Sequence, residues 1–356
     1  MVPRLYLHAR RLAFQHPVTG SKLCFEAPAD FDADARLAMR FAMIDPKVTN
    51  AFRLIHGAAD GSPGVHVDRL DDFLFAQSEA NPSPEVVSRL ESLRLRLDLR
   101  GVYQRMLNRR INPTPPSEMS PRILSGKPAP EAFGIRENGV QYELSLREGY
   151  SVGLFLDQRD NRRRFLVNHI AAGFPLFPDG GAGQEVLNTF AYTCGFSVCA
   201  ALAGAKTTSV DLSKKYLEWG RRNFVLNGLN PATHDFIYGD TFEWLHRLAK
   251  KGRAFDGVIL DPPTFSRSKA NGAFQADKDF GRLVAAALPV LKRGGVLFAS
   301  TNSARLRPEL FLEMITASTL AAGRKIAREH YVPQPPDFPI SDAEPAYLKT
   351  VWLRVD

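Results

Sequence analysis

From about residue 183 onward, short apolar runs alternate with segments whose apolar positions recur every three or four residues. The runs at 185–190, 207–211, 235–238, 257–260 and 295–300 read as strands. Helical spacing fits 196–202, 213–227, 241–250, 277–291 and 308–321. Strands that alternate with helices in this way predict a doubly wound, Rossmann-like α/β fold with a mostly parallel sheet. Two final strands, about 324–331 and 346–355, have no helix between them and are expected to close the sheet edge as an antiparallel hairpin.

The pattern before residue 150 is different. Val65 to Arg69 and Phe73 to Phe75 form a predicted hairpin, Pro84 to Leu97 has helical spacing, Gly101 to Tyr103 returns as a strand, and Val140 to Leu146 alternates as a strand should. The division this suggests is an N-terminal extension over 1–44, a small α+β substrate-binding or RNA-binding domain over 45–150, and a larger α/β domain over 151–356. Two Pro-rich stretches interrupt the pattern. Asn112 to Pro116, continuing loosely to Pro130, is expected to be an irregular loop, and Pro333 to Pro339 is expected to form a flap or lid.

Composition narrows the function classes. Forty-six Lys and Arg against 38 Asp and Glu leave a net charge of +8, which favours a polyanionic partner such as nucleic acid over a neutral one. Three cysteines, Cys24, Cys194 and Cys199, without a CxxC pair, point away from a disulfide framework or a zinc site and towards a reducing cytoplasm. No metal site is expected. No signal peptide is expected, because Met1 to Arg11 holds no continuous apolar run, and no membrane span, because no apolar run of about 18 residues occurs.

Candidate chemistry gathers at the C-terminal ends of the predicted strands, where doubly wound folds bind ligands. The first strand–helix turn, Asn188 to Ser197, includes Gly195, which would let backbone approach a ligand. It lacks the GxGxxG of a dinucleotide site. Asp211, ending the second strand, suits both hydroxyls of a ribose, with capping of the next helix as the alternative. Asp240, after the third strand, suits an adenine amino group. Asp261-Pro262-Pro263-Thr264-Phe265 follows the fourth strand. Its prolines stiffen the loop and donate no hydrogen bonds, which leaves carbonyls and the Asp261 carboxylate to accept one from a base, with Phe265 as a stacking face. The plain alternative is a strand-terminal turn with a core Phe.

These motifs in this order resemble the class I S-adenosylmethionine-dependent ribosomal RNA methyltransferases of the large-subunit I and K/L types. The matching pieces are Gly153 to Arg162, Phe190 to Val198, Ser209 to Ser213 and Asp261 to Lys269, with a weaker match over Gly61 to Arg69. The resemblance implies a cofactor site made by Phe155, Asp157, Gln158, Arg159, Phe190, Ala191, Tyr192, Thr193, Gly195, Asp211, Leu212, Asp240 and Asp261. The Phe155 to Arg159 segment would lie at the methionine end, and Arg159 would pair with the carboxylate there. It implies a catalytic set of Asp261, Pro262, Pro263, Phe265 and Asn302. Arg162, Arg163, Arg164 and Lys269 are expected to hold RNA phosphates, a solvated helix face being the alternative for the arginines.

Two departures from the family matter. The N-terminal PUA domain common in the family is not visible. Instead Arg4 to Leu12, His16 to Gly20 and Phe25 to Pro28 resemble the tail of an Rlu-type pseudouridine synthase without its catalytic core. The second departure concerns the target atom. C5 methylation of cytosine needs a nucleophile to add to C6, and the family's C5 enzymes carry a Cys-Ser pair after the fifth strand. Here that place reads Ser300-Thr301-Asn302-Ser303.

The expected function is an RNA methyltransferase acting on a base of 23S-type ribosomal RNA, with a guanine nitrogen favoured, as a monomer or homodimer. The rival readings are a cytosine C5 enzyme, a small-molecule methyltransferase and a non-catalytic cofactor-binding or RNA-binding factor.

Overall fold

The computed structural model describes residues 9–17, 19–26, 35–107, 120–147, 151–268 and 272–356. The Pro-rich run at 112–116, Lys269, and residues 1–8 and 27–34 of the N-terminal extension lie outside the described residues.

The chain opens with a two-stranded hairpin, β1 (Arg11–Gln15) and β2 (Lys22–Glu26), followed by helix α1 (Ala35–Met43). A five-stranded sheet then forms from β3 (Ala51–His56), β4 (Val65–Leu70), β5 (Phe73–Ser78), β6 (Gly101–Met106) and β7 (Arg122–Gly126), in that spatial order. Only β5 and β6 are parallel, and helix α2 (Pro84–Arg96) makes their crossover. Pro84 occupies its first turn, and the Ser83 hydroxyl accepts from the Val86 N–H, a conventional cap. Strand β3 is absent from the sequence reading because its Arg53 and His56 break the apolar pattern, yet both are buried. A hairpin of β8 (Phe133–Glu137) and β9 (Val140–Leu144) leads to a 3-10 turn over Leu156–Gln158 and helix α3 (Arg159–Leu166).

The larger sheet has seven strands. Its first half contains β10 (Glu185–Thr189), α4 (Gly195–Leu202), β11 (Lys206–Asp211), α5 (Lys214–Leu226), β12 (Asp235–Tyr238) and α6 (Thr241–Lys250). Next come β13 (Phe255–Leu260), a short hairpin of β14 (Phe265–Ser268) and β15 (Gly272–Gln275), and α7 (Ala276–Ala287). The chain ends with β16 (Leu291–Thr301), α8 (Pro308–Ala321), β17 (Ile326–Val332) and β18 (Lys349–Val355). Spatial order is β12-β11-β10-β13-β16-β18-β17. All pairings are parallel except those of β18, which runs antiparallel to both neighbours. The doubly wound sheet and its antiparallel end match the sequence reading. Helix α7 is shorter than expected, because the chain tightens into a 3-10 turn at Leu288–Val290 and β16 begins at Leu291.

One apolar cluster runs from the small sheet (Ala51, Phe73, Tyr103) through Tyr142 and Phe165 to Phe298 and Trp352 of the large sheet. The two sheets therefore share buried surface, and the groove between them is held in shape. The Pro-rich flap belongs to this packing. Phe338 and Asp337 are buried, and Asp337 accepts from the Arg53 N–H of β3 at 3.1 Å. The expectation of a lid is corrected: the segment is a wedge, because its carboxylate is consumed by partners on both sides.

Candidate active site

The loop after β10 carries three non-glycine residues in the left-handed region, Phe190, Tyr192 and Cys194, with φ of 53°, 48° and 62°. Each costs of order 1 kcal/mol or more, and such strain persists only where its surroundings enforce it. The surroundings are visible. Asp211, at the end of β11, accepts from the Tyr192 N–H and the Ser213 N–H, each at 2.8 Å. Thr193 is fully buried, donates its hydroxyl to the Gly153 carbonyl at 2.6 Å, and offers its own carbonyl to Asn223 Nδ2. Gly153 has φ of 123°, and a Cβ there would sit 2.7 Å from the Trp219 ring. Gly195 opens helix α4, and its missing Cβ makes room for Leu154, 3.0 Å from where that atom would be.

The second carboxylate is used differently. Asp240 Oδ1 accepts from the Phe242 and Glu243 N–H groups at 2.9 and 3.2 Å, which is the cap of α6. Asp211 does not cap α5; Ser213 does. Burial raises the Asp211 carboxyl above its ordinary value, against the two N–H donors that favour its charge. Leu212 and Phe155 are exposed beside this loop, whereas Ala191 is buried, and Phe155 meets Tyr192 with ring centroids 5.4 Å apart.

Asp261 directly follows β13, the central strand of the sheet. Gln158 Nε2 donates to its Oδ1 at 3.2 Å and to Ser300 Oγ at 2.7 Å. Gln158 is in turn held by Asn161 at 2.8 Å, and Asn161 accepts from the Trp352 indole at 3.1 Å. Burial pushes the Asp261 carboxyl up to about 6, with the nearby Asp157 charge adding to it and the Ser300 and Gln158 hydrogen bonds opposing. Pro262 is buried and Pro263 exposed. Thr264 donates its hydroxyl to Asn302 Oδ1 at 2.6 Å, which joins this loop to the end of β16. Phe265 is 58% exposed, so the reading of a core Phe is set aside. The hairpin that follows was not read from the sequence. Its Phe274 is buried between Phe190 and Phe242, which anchors the exposed loop to the first turn.

The arginine run is mostly internal. Arg159 donates to both oxygens of the fully buried Asp337, at 2.9 and 2.7 Å, so its expected pairing with a cofactor carboxylate is corrected. Arg162 donates to both oxygens of Glu137, at 2.6 and 2.7 Å, and to the Phe155 carbonyl at 2.8 Å. Both members of that pair are buried, so Arg162 is not a phosphate contact either. Arg164 donates to the Asp160 carbonyl at 2.8 Å and is partly buried, whereas Arg163 projects outward. The helix is thus neither a solvated face nor a row of RNA contacts.

Cys194 and Cys199 are buried, and burial pushes both thiols up to about 12, far from a usable thiolate. Away from this centre, His56, His66 and Glu344 bring possible ligand atoms within 4.8 Å of one another. Arg53 Nη1 lies 2.8 Å from His56 Nδ1 and can only donate. The His56 proton must then sit on Nε2, which suits a hydrogen bond better than a metal.

Residues 101–354 match the family described as S-adenosylmethionine-dependent methyltransferase. The chain belongs to that family. This methyltransferase therefore uses S-adenosylmethionine. It is 34% identical over 332 residues to a ribosomal RNA large subunit methyltransferase of Deinococcus radiodurans, covering 91% of this chain and 78% of the relative. It is 33% identical over 324 residues to ribosomal RNA large subunit methyltransferase I of Aeromonas hydrophila, covering 88% and 77%. Among solved structures it is similar to a protein assigned as a methyltransferase and crystallised with S-adenosylhomocysteine, with a TM-score of 0.75, 28% identity and coverage of 96% and 87%. No helix among the described residues is long and apolar enough to cross a membrane.

Proposed function

We propose that this methyltransferase modifies a base of large-subunit ribosomal RNA, at a guanine nitrogen, in the cytoplasm. The observation that carries the reading is the exposed Phe265 ring on the loop of the Asp261 carboxyl. A base turned out of its stack would rest on that ring and present an N–H to the acceptors of the Asp-Pro-Pro loop. The cofactor's sulfonium methyl would then be in line with the base nitrogen, and transfer would depend on alignment more than on acid–base help.

Three further points support it. The relatives described above are named for ribosomal RNA of the large subunit. The net charge of +8 suits a polyanion. A C5 mechanism would need a thiolate beside the base. In the sequence, Ser300 to Ser303 stands in place of the Cys-Ser pair of the C5 enzymes, and the two nearest cysteines in sequence have buried thiols. Phosphate contact falls to Arg163 on α3 and, on its position in the sequence alone, to Lys269. The division at about residue 150, into a small RNA-binding domain and a catalytic domain, is part of the same reading.

The test is transfer of a labelled methyl group from S-adenosylmethionine to large-subunit ribosomal RNA from cells that lack this protein. Transfer by the native chain and none by Asp261→Ala is expected. Cofactor binding without transfer to either free RNA or ribosomal particles would overturn the reading.

A further inference from the structure

A cavity of about 340 Å³ lies between the two sheets, within the range of about 300–1,000 Å³ usual for small-ligand sites. Asp68, Gln77 and Arg105 line it from the small sheet, and Phe155, Asp157 and Asn302 from the catalytic side. It therefore opens beside Asn302, whose Oδ1 is tied to the loop of Asp261. The 3-10 turn at Leu156–Gln158 sends two adjacent side chains to different tasks. Gln158 turns inward to Asp261, and Asp157 faces the cavity.

Asp157 is held in place. The Tyr347 hydroxyl donates to its Oδ2 at 2.8 Å. Burial raises its carboxyl above the ordinary value. The Tyr347 hydrogen bond and the Arg53 and Arg162 cations oppose that, while Asp68 adds to it. The Asp157 charge is also felt at Asp261. A cofactor carboxylate at the methionine end would be repelled by this group. A base that becomes cationic would be attracted to it.

We propose that this cavity, joined through Asn302 to the Asp261 loop, takes the edge of the target nucleobase that faces away from that loop, and that Asp157, positioned by Tyr347, is a second hydrogen-bond acceptor for the base and its counter-charge during transfer. The inference rests on the proposed RNA-base specificity. The base nitrogen uses its lone pair to form the new N–CH3 bond while the S–CH3 bond breaks. That bond's electron pair stays on sulfur, which leaves as a neutral thioether. The positive charge moves from sulfur to the base, opposite the Asp157 carboxylate. Preorganised charge aimed at such a site is commonly worth about a hundredfold to a thousandfold in rate.

The test compares the native chain with Asp157→Asn and Tyr347→Phe in methyl transfer to large-subunit ribosomal RNA. For Asp157→Asn, kcat should fall about a hundredfold, with the RNA KM changed less than about threefold and the cofactor Kd within about twofold of native. For Tyr347→Phe, loss of the hydrogen bond should move the acid limb of the kcat profile to higher pH, with native kcat restored above it. Arg53, Arg162, Asp68 and Asp261 remain in both variants, so the Asp261 limb near pH 6 is common to the native chain and Tyr347→Phe, and a shift above it reports the lost contact. An Asp157→Asn variant with native kcat, or one whose loss lies in cofactor binding, overturns the inference while leaving the RNA reading intact. A native chain that binds cofactor and methylates no ribosomal RNA overturns both.

Discussion

Asp337 and Arg159, 178 residues apart in the chain, form a two-pronged ion pair in which the carboxylate has no solvent exposure. The pair joins the Pro-rich wedge to helix α3. The same Asp337 accepts from the Arg53 N–H at 3.1 Å, and its backbone carbonyl accepts from Arg40 at 3.4 Å. One residue thus ties together α1, the small sheet and the catalytic half, and it keeps the cavity walls at a set separation.

Removing one partner should therefore be costly. Asp337→Ala leaves the buried Arg159 guanidinium with only the Nε contact to Asp160 at 3.3 Å, and losing the main partner of a buried ion pair costs up to about 3–5 kcal/mol. Chemical denaturation should show this as a lower midpoint. A double change that replaces both partners with apolar residues of similar volume should recover much of it. An Asp337→Ala midpoint equal to native would mean that the wedge is not a structural tie.

The two neighbouring arginines Arg162 and Arg163 should separate cleanly. Arg162→Ala breaks the buried Glu137 pair and should lower the melting temperature sharply, with any loss of RNA binding following from unfolding. Arg163→Ala should melt as native does. Its RNA affinity should fall, and the slope of log affinity against log salt should shrink by about one. An unchanged salt slope would remove Arg163 from the phosphate contacts.

Asp261 predicts a pH signature. Its carboxyl sits at about 6 when folded, against an ordinary 3.8. The folded state holds this proton more tightly than the unfolded chain does. The resulting contribution to stability is fully present below about pH 4 and is lost as pH rises through about 6. Activity should run the other way, since accepting from a base needs the ionised form, so kcat should fall below about pH 6. Asp261→Asn should remove that stability trend and nearly all turnover.

Thiol accessibility checks the case against a covalent mechanism. Cys24 is exposed, and Cys194 and Cys199 are buried. A thiol reagent should modify one of the three cysteines quickly in the native protein and the other two only on unfolding. A Cys194→Ser, Cys199→Ala double variant that still folds should keep methyl transfer. Loss of transfer with native cofactor binding would reopen a nucleophilic role.

The large sheet was legible because its strands are short apolar runs and its helices have regular spacing, signals that need no distant partner. Asp261, its prolines and the exposed Phe265 were legible for the same local reason. Strand β3 was missed because Arg53 is buried against Asp68 and the His56 ring against Arg53, pairings that the local pattern does not reveal. The α3 arginines were misread for the same cause: Glu137 and Asp337 lie 25 and 178 residues away from their partners. Asp240 and Asp211 show the opposite limit. An acidic residue at a strand end caps a helix in one case and ties a strained loop in the other, and only geometry distinguishes them.

The most direct test of the account is the identity of the methylated nucleoside. Ribosomal RNA from cells lacking the protein, treated with the native chain and S-adenosylmethionine, is digested and analysed by mass spectrometry, with Asp261→Ala in parallel. A guanosine methylated on the base, present only with the native chain, is predicted. A 5-methylcytidine product would contradict the account, because it would require a thiolate that the Asp261 site does not offer.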